Sequence, residues 1–315
     1  MGDYSKAVKL LLADKRVDPS ADDNVAIRWA SRNDHIEIVR VLLNDNRVDP
    51  SAGDNYAIRL ASLFGHVEVV KILAEANGVD PSAYDNFAIQ QASENGHVEV
   101  VRLLLKASIK DGRIDPSARG NFAIYVASKK GHVEVVRLLL ADKRVNPTSD
   151  NDNAAIRIAS YYGHVEVVKI LIADKRVDPS IGNNVAIRVA SERGGARHVE
   201  VVRALLTDKR VDPSAEDNVA IHLASENGHV EVVRLLLTDK RVDPSAVSNR
   251  AIIMASYYGH VEVVKILLAD NRVDPSANGN AAIRVASKRG GARHVEVVKI
   301  LLADNRVDPR AVANK

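Results

Sequence analysis

Cysteine is absent from the 315-residue chain, which excludes a disulfide framework, a Cys-based zinc site and a thiol nucleophile. Aromatic residues are scarce at 4%, although hydrophobic residues reach 46%, so a core must come from Val, Ile, Leu and Ala. Such a core suits slim stacked helices better than one large globule. No apolar run is long enough to span a bilayer, and the first residues lack the apolar segment of a secretion signal. Neither sign of charge dominates: 44 Lys and Arg are interspersed with 41 Asp and Glu. A dedicated nucleic-acid binder instead gathers an excess of basic residues on one face. A cytoplasmic protein with no membrane or nucleic-acid partner is expected.

What is present is a repeat. Gly163 to Pro179 reads G-H-V-E-V-V-K-I-L-I-A-D-K-R-V-D-P and returns, slightly varied, at His35, His66, His97, His132, His198, His229, His260 and His294. All ten prolines belong to this signal. An Asn follows five residues after each Pro, at Asn24, Asn55, Asn86, Asn121, Asn184, Asn218, Asn249 and Asn280, and six residues after at Asn153. Self-similarity at such a period is the mark of a stacked-repeat architecture, and it overrides the usual inference of domain number from length.

Between Asn and His lies a short apolar segment such as Val185-Ala186-Ile187-Arg188-Val189-Ala190-Ser191, ending at Gly in copies such as Gly65, Gly96, Gly131 and Gly163. Asn suits a helix N-cap and Gly a left-handed C-cap, so the spacing predicts a first helix between them. A second helix is predicted from the His to the Val-Asp-Pro. Its β-branched residues mimic a strand, but the apolar stripe has helical period and length. Each unit is helix, tight turn, helix and an extended link. One such pair leaves a face uncovered, so units must stack.

The residues now on view resemble the ankyrin repeat family. Leu60-Ala61-Ser62-Leu63-Phe64-Gly65-His66-Val67-Glu68-Val69-Val70-Lys71-Ile72-Leu73 is similar to the family's L-A-A-x-x-G-H-x-x-V-V-x-L-L. The likeness is to the divergent arrays of protists and giant viruses, so the cytoplasm of a host cell is implied for a viral chain. It implies an all-α helix-turn-helix solenoid, with nine full repeats over residues 24–313, an N-terminal half repeat over 1–23 and a stub at 314–315. The family's T-P-L-H opening is replaced by forms such as Val25-Ala26-Ile27-Arg28, and the link is about three residues short of the family's β-hairpin finger. Short extended links are therefore expected in place of full fingers.

Insertions break the regularity. Ser108 to Asp111 lengthens one link, and Thr148 to Asp152 carries one extra residue. Gly194-Gly195-Ala196-Arg197 and Gly290-Gly291-Ala292-Arg293 lengthen two inter-helix turns 96 residues apart, as are Tyr161-Tyr162 and Tyr257-Tyr258. A three-repeat block has been duplicated. At the N-terminus, Ser5 and Ala7 suggest a more polar capping helix. At the other end the helix from His294 keeps the apolar residues of an interior helix, so an exposed apolar end is expected, with weak end-to-end self-association as the alternative to partner binding.

Repeated polar residues are weighed first as scaffold. One His per repeat spreads imidazoles by about 8–10 Å, too far for three or four ligands on one metal ion, so turn histidines that bind the neighbouring repeat are expected. Asp22-Asp23-Asn24 and Asp150-Asn151-Asp152-Asn153 lack the Gly and distal Glu of a calcium loop. Gly194-Gly195-Ala196-Arg197 follows a helix and lacks the Walker Lys. The Arg before Val-Asp-Pro (Arg144, Arg176, Arg210, Arg241, Arg272) and the Asp after it read as a ladder between repeats, as do Arg28, Arg59, Arg157, Arg188 and Arg284. No catalytic constellation, cofactor or metal site is expected.

What varies is the pair after each Ala-Ser: Arg32-Asn33, Leu63-Phe64, Glu94-Asn95, Lys129-Lys130, Tyr161-Tyr162, Glu192-Arg193, Glu226-Asn227, Tyr257-Tyr258 and Lys288-Arg289. The resemblance places these positions on a concave groove that binds a protein partner. Tyr161, Tyr162, Tyr257 and Tyr258 would anchor it, and Lys129, Lys130, Lys288 and Arg289 would steer acidic surfaces. Trp29, at an inward helix position, is counted with the core.

Overall fold

The computed structural model describes residues 4–148 and 153–312. The extra residues before Asn153, the run Asp150-Asn151-Asp152 and the stub from Asn314 lie outside the described residues. Two compact units divide the chain, Met1–Ser149 and Asp150–Lys315. The described residues form nineteen α-helices and no strand.

In the first unit the helices are α1 (Tyr4–Ala13), α2 (Ala21–Arg32), α3 (Ile36–Leu43), α4 (Ala52–Phe64), α5 (Val67–Glu75), α6 (Ala83–Glu94), α7 (Val98–Asp111), α8 (Ala118–Lys130) and α9 (Val133–Ala141). In the second they are α10 (Ala154–Tyr162), α11 (Val165–Ala173), α12 (Ile181–Arg193), α13 (Ala196–Leu206), α14 (Ala215–Glu226), α15 (Val230–Leu237), α16 (Ala246–Tyr258), α17 (Val261–Leu268), α18 (Ala277–Arg289) and α19 (Ala292–Leu302). Within each unit the first helices pack on one another in one row and the second helices in another, and the first-helix row is the tighter.

Packing explains why β-branched residues stay helical. In α11, Val167, Val168 and Leu171 are fully buried, and their counterparts in every other second helix from α5 to α17 are nearly so. Each such side chain contributes about 1.5–3 kcal/mol by leaving water, more than the few tenths by which Val falls short of Ala in helix propensity. First helices bury Ala, Ile, Ala and Ser, as at Ala186, Ile187, Ala190 and Ser191, whose small size lets neighbouring first helices approach closely. The predicted glycine caps are present. At Gly65 the Gly N–H bonds the Ser62 carbonyl and the His66 N–H bonds the Ala61 carbonyl, so two orphan carbonyls are satisfied at once.

The links are short and strandless, but wound rather than stretched. Asp49 Oδ1 accepts from the Ser51 amide and hydroxyl at 2.9 and 2.6 Å. Three residues, Gly53, Asp54 and Asn55, then follow with left-handed backbone, closed by the Asn55 N–H on the Ser51 carbonyl at 2.7 Å. The same left-handed turn recurs from Asp22-Asp23-Asn24 to Asn278-Gly279-Asn280. A left-handed L-residue costs roughly 1–2 kcal/mol, least for Gly, Asn and Asp, which explains the composition of this stretch.

Three expectations are corrected here. The Asn does not cap its helix through its side chain; it lies in the left-handed turn. Trp29 is not core: it is 54% exposed, with its ring 4.8 Å from that of His35. Helix α1 has no buried residue and displays Leu10 and Leu11, so its outer face is not the polar cap expected. At α19, Val295 and Leu302 are about half exposed, while Val297 and Leu301 are buried.

Candidate partner-binding face

The repeated polar residues act within the scaffold. The side-chain oxygen of every buried Asn but Asn153 accepts the N–H of the residue before Pro in the next repeat, as Asn55 does from Asp80, Asn86 from Asp115, Asn218 from Asp243 and Asn249 from Asp274, all at 2.7 Å. Asn153 reaches Asp178 in the other sense, donating to its carbonyl. The Arg before Val-Asp-Pro spans repeats as expected, but through a backbone carbonyl: Arg241 Nη1 donates to the Val211 carbonyl and Arg272 Nη1 to that of Val242, both at 2.7 Å. Its carboxylate partner is the Asp two residues before it, not the Asp after it, as in Arg241–Asp239. That hydrogen bond holds Asp142, Asp174, Asp208, Asp239, Asp270 and Asp304 below the usual carboxylate range.

First-helix Arg residues mostly do not form the expected ladder. Arg28 and Arg59 turn back onto the left-handed turn, donating to the carbonyls of Asp22 and Gly53. Gln90 does the same to Asp85. Arg188 does cross to the next repeat, pairing with Glu216. Arg59 also lies under Tyr56, Tyr84 and Phe87, with its guanidinium 5.0, 4.7 and 5.4 Å from the ring centres, so those aromatics cover a buried cation.

Seven of the turn histidines donate Nε2–H to the previous repeat, and the acceptor in all seven is the carbonyl of the first residue of a variable pair. His66 bonds Arg32, His97 bonds Leu63 and His132 bonds Glu94 in the first unit. His198 bonds Tyr161, His229 bonds Glu192, His260 bonds Glu226 and His294 bonds Tyr257 in the second. A carbonyl can only accept, so Nε2 carries the proton. Burial pushes His260 below the usual imidazole value. Gly65, Gly96 and Gly228, each just before a His, are also sites of close approach to the ring of the next repeat's His. A methyl group on Gly228 would stand 2.5 Å from the His260 ring.

The variable pairs are left at the surface. Their second members, Asn33, Phe64, Asn95, Lys130, Tyr162, Arg193, Asn227, Tyr258 and Arg289, are all exposed. Among the first members, Leu63, Glu94, Lys129, Tyr161, Glu226 and Tyr257 are half-buried, whereas Arg32, Glu192 and Lys288 are exposed. Asn33, Asn95 and Asn227 bond a carbonyl of their own helix and are partly committed there. Adjacent repeats bring three sets together: Arg32 with Phe64 at 5.5 Å, Arg193 with Tyr161 at 4.5 Å and Arg289 with Tyr257 at 3.8 Å. Glu226 and Asn227 join no ring contact of this kind. The tyrosine pairs are edge-to-face, with centres 5.1 Å apart at Tyr161–Tyr162 and 4.8 Å at Tyr257–Tyr258.

Sequence reasoning missed the floor of this face. Four residues before the second pair member stand Trp29, Leu60, Gln91, Val126, Ile158, Val189, Leu223, Met254 and Val285, on the same side of each first helix. All are half-buried except Val126, which is buried, and Trp29, which is exposed. The i, i+4 spacing was the signal that could have found them.

Among the described residues no helix is long and apolar enough to cross a membrane. Nor does any group of three or more His, Asp or Glu stand close enough to hold a metal ion. Paired helices stacked in two rows within each unit define a helical repeat protein. The family model for ankyrin repeats, three copies at a time, matches residues 1–85, 29–117, 60–151, 88–183, 156–248 and 221–312. The chain belongs to the ankyrin repeat family. No curated protein matches it. Ankyrin repeats are generally protein–protein interaction modules and typically non-catalytic.

Proposed function

We propose that the nine repeats of residues 24–313 act as a non-catalytic scaffold that binds a protein partner through the first-helix face bearing the variable pairs. One observation carries this reading. The His bond to seven of the nine pairs uses a backbone carbonyl, so the side chains of those pairs are free to differ while the stack stays intact. Within each unit the first helices pack more closely than the second, which favours a concave surface on the first-helix side. Tyr161, Tyr162, Tyr257 and Tyr258 serve as anchors, because a Tyr offers large contact area at small cost in side-chain entropy. Arg289 acts with Tyr257 rather than as a separate steering charge.

The test is a capture experiment from the source cell's lysate with the native chain and with all four Tyr changed to Ala. A partner held by the native chain should be lost from the variant, by several kcal/mol in the purified pair, with far-UV circular dichroism unchanged. Equal retention by both would remove the face from consideration. End-to-end stacking is a second reading, favoured by the half-exposed Val295 and Leu302. Sedimentation velocity over a concentration series separates the two, since growing rods would support stacking and a constant monomer would exclude it.

A further inference from the structure

Two places in the second unit share one construction. The first gathers Tyr161 and Tyr162 at the end of α10, Arg193 at the end of α12 and Arg197 in the first turn of α13. The second gathers Tyr257 and Tyr258 at the end of α16, Arg289 at the end of α18 and Arg293 in the first turn of α19. The inserted glycines place the last Arg of each set. Gly194 and Gly195, and likewise Gly290 and Gly291, combine positive φ with extended ψ, a conformation open in practice only to Gly. The loop they form folds onto the tyrosine turn: a methyl group on Gly163 would be 3.0 Å from Cβ of Arg197, and one on Gly259 would be 3.3 Å from Cβ of Arg293. His198 and His294 fasten the same junctions, each through a 2.9 Å bond to a Tyr carbonyl.

The four arginines differ from most others in the chain. Those of the Asp-x-Arg turns are locked onto Asp, and Arg102, Arg137, Arg203 and Arg234 pair with Glu one turn away. Arg193, Arg197, Arg289 and Arg293 are exposed and form no ion pair among the described residues. Arg193 and Arg289 lie with a guanidinium near the face of a Tyr ring. Stacking fixes the guanidinium plane and leaves its N–H edges open, which is the arrangement that grips a carboxylate with two parallel bonds. The tyrosine hydroxyls add donors of the same kind.

We propose, resting on the partner-binding face above, that these are twin subsites for one protein partner that presents two short acidic segments. The subsites lie three repeats apart, which at 8–10 Å per packed helix is about 24–30 Å. A nucleic acid fits less well. Glu226 and Asn227 lie in a repeat between the subsites and Glu192 borders the first, so no continuous basic track exists for a phosphate backbone. Lys288 stands where the first subsite has Glu192, which makes the second the stronger of the two.

The test uses the full chain and two fluorescent probes followed by anisotropy. One probe is hexaglutamate; the other is two hexaglutamates joined by about 25 Gly/Ser residues, whose mean reach matches the separation. The double probe should bind about a hundredfold tighter than the single one. R193A/R197A should bring the double probe down to single-probe affinity, and adding R289A/R293A should abolish binding. Ala keeps the Cβ that packs on each Gly, so folding is preserved, and circular dichroism checks it. A double probe no more than about twofold tighter, or binding indifferent to the substitutions, overturns the proposal. So does equal binding of an oligouridylate of the same charge. Loss of the lysate partner on Tyr-to-Ala substitution alongside either result would leave the binding face standing and remove only the acidic twin-site assignment.

Discussion

The two ends of each first helix meet the neighbouring repeat in opposite ways. At the N-terminal end the contact is made by a side chain, the buried Asn whose amide oxygen reaches the next repeat's backbone. At the C-terminal end it is made by a backbone carbonyl, which receives a His from the next repeat. A side-chain contact demands one residue type, and the chain has Asn at every such position. A backbone contact demands none, and there the chain has Arg, Leu, Glu and Tyr. The difference explains how one helix can be a constant structural element at one end and a variable surface at the other.

Four substitutions probe that difference. N218A should destabilise by about 3 kcal/mol in urea unfolding, since it removes the buried acceptor of the Asp243 N–H and puts Ala in a left-handed backbone. A loss below about 1 kcal/mol would mean the Asn is not what joins the repeats there. G228A should lose about 2–3 kcal/mol, because an added methyl meets the His260 ring at 2.5 Å while φ stays at +74°.

His222 tests the N-terminal end through pH. It replaces the Arg of other repeats, is 4% exposed and has its imidazole pushed down to about 4, chiefly by burial and then by Arg250. Between pH 6.5 and about 4 the unfolded chain takes up a proton that the folded chain refuses. Stability present above pH 6.5 is therefore lost as pH falls, by roughly 2–3 kcal/mol. H222Q, which imitates Gln90, should flatten unfolding midpoints across that window, and an unchanged slope would assign it to other groups. Smallest is E226A at the C-terminal end, expected within about 0.5 kcal/mol of the native chain because the carbonyl bonded by His260 remains. A larger loss would show that the pair's side chains matter to the stack.

Local chemistry was legible in the residues. The glycine caps, the helix pairs and the turn role of the histidines follow from spacing and from what each residue does to its own backbone. Which residue or atom each long-range contact would take was not. Asn218 bonds a residue 25 positions away, and from sequence it is indistinguishable from an N-cap. Arg241 takes the Asp two residues before it rather than the one two residues after, because the Asp-Lys-Arg turn folds that carboxylate onto the guanidinium while Asp243 receives Ser245. Trp29 sits where other repeats hold Leu, Val, Ile, Met or Gln, yet its side chain is 54% exposed, because the position is only partly covered.

By itself the sequence determined the repeat, the helical pairing and the list of positions free to vary, because these depend on period, turn propensity and composition. Only the tertiary structure decided why those positions are free and which of them meet. A backbone carbonyl offers the same acceptor whatever side chain it carries, and Arg193 comes to lie by Tyr161 only once α12 is packed beside α10.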